Sequence, residues 1–491
     1  MERTGDRHSE QTSSRELLID LSGAPRGRLG LELQRWLRDA IRQGRLRAGA
    51  ALPSTRALAA DLGISRSVVV LAYEQLAAEG YLITRQGAPA RVAAVHLRSG
   101  TISKRAPAAA RVDAGAVDFR PGTADLGSFP RADWERASRT ALASLPDAEL
   151  GYGDSRGLPR LRETLADYLG RVRGAILDPD DLVVVNGFAQ GLAVVARLFR
   201  QLGVGAVGVE DPGSRHTAAQ LAAHDVAIVD VPVDDDGIDI ARLAAPPGPP
   251  LRAVLATPAH QFPTGAVLSA DRRRQLLAWA DTVDGYLVED DYDAEYRYDH
   301  QPVATVQGLA PDRVLLGGSV SKTLAPGLRL GWLVVPRHLA ADAARHKRQI
   351  DLMAPVLEQA ALAELLASGA YERHIRRNRT RYRQRRDRLL ELLATHLPEA
   401  RVRGEAAGLH LLIDTPTVAR EADVVAHAAR RGLWLSGVGE SRGAPGPAGF
   451  VLAYAHLSHD QLRRAVRILA GAIRAAGIPD RPRRGSRPVR P

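Results

Sequence analysis

The chemistry-bearing residues of this chain concentrate in GSVSKTLAPGLRLGWLVVP, where Lys322 follows an apolar run, three residues after Ser319 and seven before Arg329. An amine among apolar groups loses solvation when protonated, so its pKa falls and the neutral form that condenses with an aldehyde becomes available. Ser319 offers a hydroxyl and Arg329 a guanidinium, a pair suited to a phosphate dianion. A lysine on an ordinary surface loop explains neither neighbour. A second motif, YLVEDDYDAEYRY, sets carboxylates at the end of a predicted strand, where ligands bind in open parallel sheets. Asp290 there could pair with a protonated pyridine nitrogen, and Tyr292 could donate to a phenolate oxygen. Taken alone, the same cluster reads as well as a metal site or a helix cap. Third, DLVVVNGFAQGLAVVARLF runs strand, turn, helix, so the amides of Gly187, Phe188 and Ala189 would face an anion, although an ordinary strand-to-helix turn is the simpler account of it alone.

Positioning such groups takes a large scaffold. From residue 117 to 478, short Val/Leu/Ile runs (DLVVVN, VGAVGVED, LRAVLATP, YLVEDD, VLLGGSV) alternate with longer helical patterns, which predicts an α/β fold with a mainly parallel sheet. A compact patterned block precedes it at 17–97, and the Ala/Pro/Ser-rich stretch 98–116 reads as a linker. Residues 1–16 and the basic 479–491 are expected to be disordered. At 491 residues the chain exceeds one hydrophobic core.

Composition narrows the function classes. With 45% hydrophobic and 25% charged residues the chain should fold over most of its length. A net charge of +11 permits a polyanionic partner, but an Arg-rich composition gives the same value without one. The absence of Cys excludes disulfides, thiolate zinc sites and Cys nucleophiles, and no His cluster has metal spacing, so no metal is expected. The polar start, MERTGDRHSEQTSSREL, lacks a secretory apolar run, and no apolar stretch reaches the roughly 18 residues of a membrane span, so the expected location is cytoplasmic.

The N-terminal block has its own pattern. In LELQRWLRDAIRQGRL, Leu33, Trp36, Leu37, Ala40 and Ile41 recur at helical spacing before Gly44. LPSTRALAADLG predicts a shorter helix capped at Ser54 or Thr55 and ended by Gly63, and ISRSVVVLAYEQLAAEG a third, capped by Ser65, with Val68, Val69, Ala72, Tyr73 and Leu76 inward and Arg66, Ser67 and Val70 outward. Two helices joined by a Gly-containing turn make a helix-turn-helix, whose second helix enters the major groove by its N-terminus. YLITRQGAPARVAAV then alternates as a hairpin, the place of a wing, with Arg85, Gln86 and Arg91 as phosphate or minor-groove contacts.

The block LPSTRALAADLGISRSVVVLAYEQLAAEGYL resembles the winged-helix domain of the GntR family of bacterial regulators. That resemblance implies DNA contacts at Arg56, Ser65, Arg66, Ser67, Gln86 and Gly87. The larger block, through FRPGTADLGSFP and GYGDSRGLPRLRETLADYL, resembles fold-type-I aminotransferases, and the combination is similar to the MocR subfamily of GntR regulators. The resemblance implies pyridoxal 5'-phosphate held by Lys322, Asp290, Tyr292, Ser319, Ser321, Arg329, Gly187, Phe188 and Ala189. It also implies a homodimer in which Tyr152 reaches the partner's cofactor phosphate. The chain departs from the catalytic pattern in three places. EDPGSRHT has Ser214 where an aromatic stacks on the cofactor; HQFPTG puts Phe262 at the Asn of NPTG, with Gln261 expected to substitute; and FVLAYAHL offers Val451 where an Arg holds the substrate carboxylate. Loss of that bidentate contact removes orientation that turnover needs more than cofactor binding does. The expected function is therefore a regulator sensing pyridoxal phosphate, free or condensed with an amino compound, and so altering its grip on operator DNA. A working aminotransferase with an accessory DNA-binding domain is the alternative.

Overall fold

The computed structural model describes residues 25–85, 87–94, 116–246, 248–298, 303–415 and 420–477, together with Ile19 and Leu21. The two expected disordered ends, residues 98–115 of the expected linker, and Gln86 lie outside the described residues. The chain forms two compact units, 1–111 and 112–491.

In the smaller unit, α1 (Leu29–Arg42) buries Leu33, Leu37, Ala40 and Ile41. α2 (Thr55–Leu62) starts at Ser54, whose hydroxyl accepts the Ala57 amide at 3.2 Å. Gly63 then turns the chain with φ +62°, a left-handed conformation that favours glycine. α3 (Arg66–Ala78) buries Val69, Ala72, Tyr73 and Leu76, while Val68, expected on that stripe, sits half-buried at its edge. Full burial of such side chains stabilises by about 1.5–3 kcal/mol each. β1 (Leu82–Ile83) and β2 (Arg91–Val92) pair antiparallel as the wing. The Tyr73 hydroxyl donates to the Pro53 carbonyl at 3.0 Å, and Arg38 grips Glu79 at 2.8 Å, fastening α3 to the rest.

The larger unit opens with β3 (Val117–Asp118), α4 (Arg131–Ser144) and α5 (Pro159–Arg173). Next come β4 (Leu182–Val185), α6 (Phe188–Gln201), β5 (Ala206–Asp211), α7 (Arg215–Ala222), β6 (Ala227–Asp234), β7 (Gly237–Ile238) and α8 (Ile240–Ala244). β8 (Ala253–Ala256), α9 (Ala270–Thr282), β9 (Tyr286–Asp291), β10 (Val314–Ser319) and β11 (Gly331–Val334) complete the large sheet. Its order is β4-β11-β10-β9-β8-β5-β6-β7. The run β10-β9-β8-β5-β6 is parallel, as expected, whereas β11 lies antiparallel to both neighbours and β7 to β6. Strands such as Leu182–Val185 and Ala253–Ala256 are buried at every position because helices cover both faces.

The helices α10 (Ala340–Asp351), α11 (Val356–Ala367) and α12 (Ala370–His396) lead to β12 (Arg401–Arg403), β13 (His410–Asp414), α13 (Glu421–Ala429), β14 (Leu433–Trp434), β15 (Ser436–Gly437), β16 (Gly449–Ala453) and α14 (His459–Ala476). Here β12-β13-β16-β15 form a second, antiparallel sheet, and β14 pairs with β3. Among the described residues no helix is long and apolar enough to cross a membrane.

Candidate functional site

Strand register gathers the expected groups at one end of the large sheet. In the parallel β9/β10 pair Asp290 sits opposite Gly317, and Ser319 ends β10 opposite Gly331 of β11. Along β9, side chains alternate between faces, so Glu289 and Asp291 share the side away from Asp290. On that side Arg173 clasps Asp291 at 2.8 and 2.9 Å, and the amides of Val306 and Gln307 donate to Glu289, each at 3.0 Å. Asp290 is left to face a cavity of about 580 Å³, the size of a small-ligand site.

The cavity is lined by Phe188, Ala189, Asp290, Tyr292, Ser319, Ser321, Lys322 and Arg329, all expected at the site. Burial depresses the Lys322 amine, opposed by the charges of Asp293 and Asp290. Its ammonium donates to the Gly122 carbonyl at 2.6 Å. Burial, with Asp291, Asp293 and Glu210 as like charges, pushes Asp290 up to about 8. Glu210, which accepts from the Thr257 hydroxyl at 2.6 Å, is pushed by burial to about 7. Asp290 and Glu210 are thus buried carboxyls whose ionised form a protonated ring nitrogen would stabilise.

The opposite requirement holds at the rim. Arg329, in the left-handed region at φ +51°, donates to the carbonyls of Asn186 and Pro326 and forms no ion pair among the described residues. Gly187 makes room for it, since a Cβ there would come within 2.8 Å of the Arg329 guanidinium. α6 begins directly after Gly187, with no side-chain cap, so its first amides, the unpaired Arg329 cation and the hydroxyls of Ser319 and Ser321 together fit a phosphate dianion. These residues fit the cofactor that the sequence implied.

Some expected residues lie elsewhere. Gln261 does not line the cavity: its Nε2 donates to the Pro212 carbonyl at 2.8 Å and its Oε1 accepts from Thr264. Tyr152 stands 88% exposed, away from its own chain's cavity. Ser214 lines the cavity but caps α7, accepting the Thr217 amide at 3.2 Å. Val451 is in the cavity wall, buried on β16. Arg215 lines it too, with its charge met by Asp230 at 2.7 Å.

Sequence reasoning missed a buried polar group beside the cavity, of which His410 is in the lining. His260, Asp293 and His410 converge from three segments, with their ligand-type atoms within 4.8 Å of one another. The His260–Asp293 contact, 3.0 Å, is a shared hydrogen bond. His410 is buried with Nε2 unpartnered, and burial, then the neighbouring His260, holds it well below the usual histidine range. The only available signal was the departure of HQFPTG from NPTG.

In the smaller unit Arg56, Ser65, Arg66, Ser67, Arg85 and Gly87 are all exposed. Ser65 occupies the N-cap position of α3, but its hydroxyl bonds Ser67 at 2.9 Å instead of capping. The first amides of α3 therefore stay open, and amides at a helix N-terminus bind phosphate. Arg91 turns back to the Gly49 carbonyl at 2.8 Å.

Residues 125–469 match the family described as aminotransferase class I and II, and residues 29–92 the bacterial regulatory proteins of the gntR family. The chain is 34% identical over 448 residues to the HTH-type pyridoxine biosynthesis transcriptional regulator PdxR of Corynebacterium glutamicum, spanning 90% of this chain and 95% of that one. It is 32% identical over 464 residues to the probable rhizopine catabolism regulatory protein MocR of Rhizobium meliloti, spanning 90% and 93%. A crystal structure of Pyrococcus horikoshii kynurenine aminotransferase matches with a TM-score of 0.68 at 25% identity, over 74% of this chain and 92% of that one. A helix-turn-helix joined to an aminotransferase-type domain defines a class of transcription regulators. The chain belongs to that class, as a member of the MocR group of GntR-family regulators.

Proposed function

We propose that the cavity of the larger unit holds pyridoxal 5'-phosphate and that its occupancy, by the cofactor alone or with an amino compound, alters how the winged helix binds operator DNA. The observation that carries this is the pairing across one cavity of the depressed amine of Lys322 with the raised carboxyl of Asp290. When bound, the cofactor supplies an aldehyde that condenses with amines and a ring that draws electrons. Lys322 is the attachment point, Asp290 stabilises the ring nitrogen's positive charge, Tyr292 donates to the phenolate oxygen, and Arg329 with Ser319, Ser321 and the α6 amides grips the phosphate. In the smaller unit, Arg56, Ser65, Arg66, Ser67, Gln86 and Gly87 contact DNA. The active species is a homodimer, to whose second cavity Tyr152 belongs.

Sensing is favoured over turnover because Val451 presents methyl groups where a substrate carboxylate would need a cation. A sensor needs only a ligand that binds one conformation better, and a tenfold preference is about 1.4 kcal/mol. Absorbance of the purified chain with pyridoxal phosphate tests the binding. A visible band that is absent from Lys322→Ala is expected, and a band of equal strength in that variant would contradict the attachment. Stoichiometric conversion of the loaded protein to its amine form by common amino acids would favour the aminotransferase instead.

A further inference from the structure

With Gln261 bonded to Pro212 and Thr264 and Phe262 apolar, the polar member of HQFPTG that reaches a cavity-lining group is His260, through the Tyr292 hydroxyl. It is 2% exposed, and its Nδ1 lies 3.0 and 3.2 Å from the two Asp293 carboxylate oxygens and 3.1 Å from the Tyr292 hydroxyl. The ring is fixed from both sides by residues without a side chain. A Cβ on Gly408, at φ +71°, would fall 1.9 Å from His260 Cε1, and one on Gly265, at φ +73°, would fall 3.4 Å from Nε2.

Proton counting follows from the groups present. A carboxylate only accepts, so the proton shared with Asp293 resides on His260 Nδ1. With that proton turned to Asp293, Nδ1 stands against the Tyr292 hydroxyl at 3.1 Å, and the phenol O–H lies between Asp293 and the cavity. Burial, then the charges of Asp293, Asp290 and Glu210 and the hydrogen bond to Asp293, raise Tyr292 well above the usual phenol value, so it remains a donor at neutral pH. Around it stand Asp290 from β9, Glu210 from β5, His410 from β13 and Lys322 beyond β10.

We propose that Asp293 and His260 are a positioning pair that holds the Tyr292 hydroxyl at the cavity, where it stabilises the anionic phenolate oxygen of the bound ligand. The pair would stand in for the missing Asn of NPTG. It rests on the reading that pyridoxal phosphate occupies this cavity.

The test is a pH titration of the visible absorbance of the full chain loaded with pyridoxal phosphate. A lost donor destabilises the deprotonated oxygen, so Tyr292→Phe should raise the midpoint by about one unit or more, tenfold in proton affinity. His260→Phe should raise it in the same direction, and the double variant should rise no further than Tyr292→Phe alone. His260→Asn, whose amide nitrogen falls near the Nδ1 position, should return the midpoint toward that of the parent. Gly408→Ala should raise it with every polar group still in place. Should His260→Phe not fold, Asp293→Asn makes the same comparison. A parental midpoint in these variants, or shifts of His260→Phe and Tyr292→Phe that simply add, would overturn the pair. Failure of the parent chain to give any visible band would instead overturn the cofactor reading on which the pair rests.

Discussion

Asp290 and Lys322 each ease the other's charge, yet for both of them burial dominates: the acid is raised and the base lowered. This sets a pH dependence whose sign can be worked out. Asp290 ionises near 3.9 in an unfolded chain and at about 8 in the folded one, so the folded state holds an extra proton between those values. Stability therefore falls as pH rises through that window, and Glu210 and Glu289, each at about 7, add to the fall. The melting temperature of the cofactor-free chain should drop steadily from about pH 5 to pH 8, and Asp290→Asn should flatten the upper part of that drop. An unchanged profile in the variant would contradict the assignment. Lys322 and Asp290 were legible in the sequence because each sits in a local motif whose neighbours carry the same meaning. The contacts of Gln261, and His260 and His410 as a cluster, were not legible because their partners are remote in sequence: Gln261 bonds Pro212, and His260 bonds Asp293. A hydrogen bond closed across 30 to 50 positions leaves no spacing pattern to read.

At the scale of elements, α3 presents its N-terminus with unpaired amides beside exposed Arg66 and Ser67. Such a terminus binds phosphate by charge and direction together. Arg66→Ala should weaken binding of the full chain to its operator. If Arg66 meets a phosphate, the loss should be uniform across sequences, with the salt dependence shallower by about one charge; a contact to a base edge would relax specificity at one position instead. Unaltered affinity in fluorescence anisotropy would remove Arg66 from the interface. The turn ahead of α3 can be probed separately. Gly63 has open space where a Cβ would go, so Gly63→Ala tests backbone strain alone, and a cost of about 1 kcal/mol is expected in thermal unfolding. The helices of this unit were legible because caps and apolar spacing coincide. Strand direction in the larger unit was less so: apolar runs such as Gly331–Val334 mark burial, and nothing in them shows that this strand runs against both neighbours.

For the whole molecule, the linker that would join sensing to DNA binding lies in residues 98–115, outside the described residues, so coupling between the two units has to be measured. Tyr152, 88% exposed on a single chain, gives one handle on assembly. If it completes a second copy's phosphate site, Tyr152→Phe should weaken retention of pyridoxal phosphate by roughly tenfold, the loss of one charge-assisted hydrogen bond. Retention at the parental level after dialysis would argue that Tyr152 serves no second cavity. The central claim is that cofactor occupancy changes DNA binding, and one titration tests it most directly. Anisotropy of a labelled duplex, selected by the full chain from a random pool, would be followed as pyridoxal phosphate is added to the parent chain and to Lys322→Ala at fixed salt. A change in operator affinity of fivefold or more in the parent, absent from Lys322→Ala, is the predicted result. Superimposable curves for the parent chain with and without cofactor, both in affinity and in footprint, would contradict it.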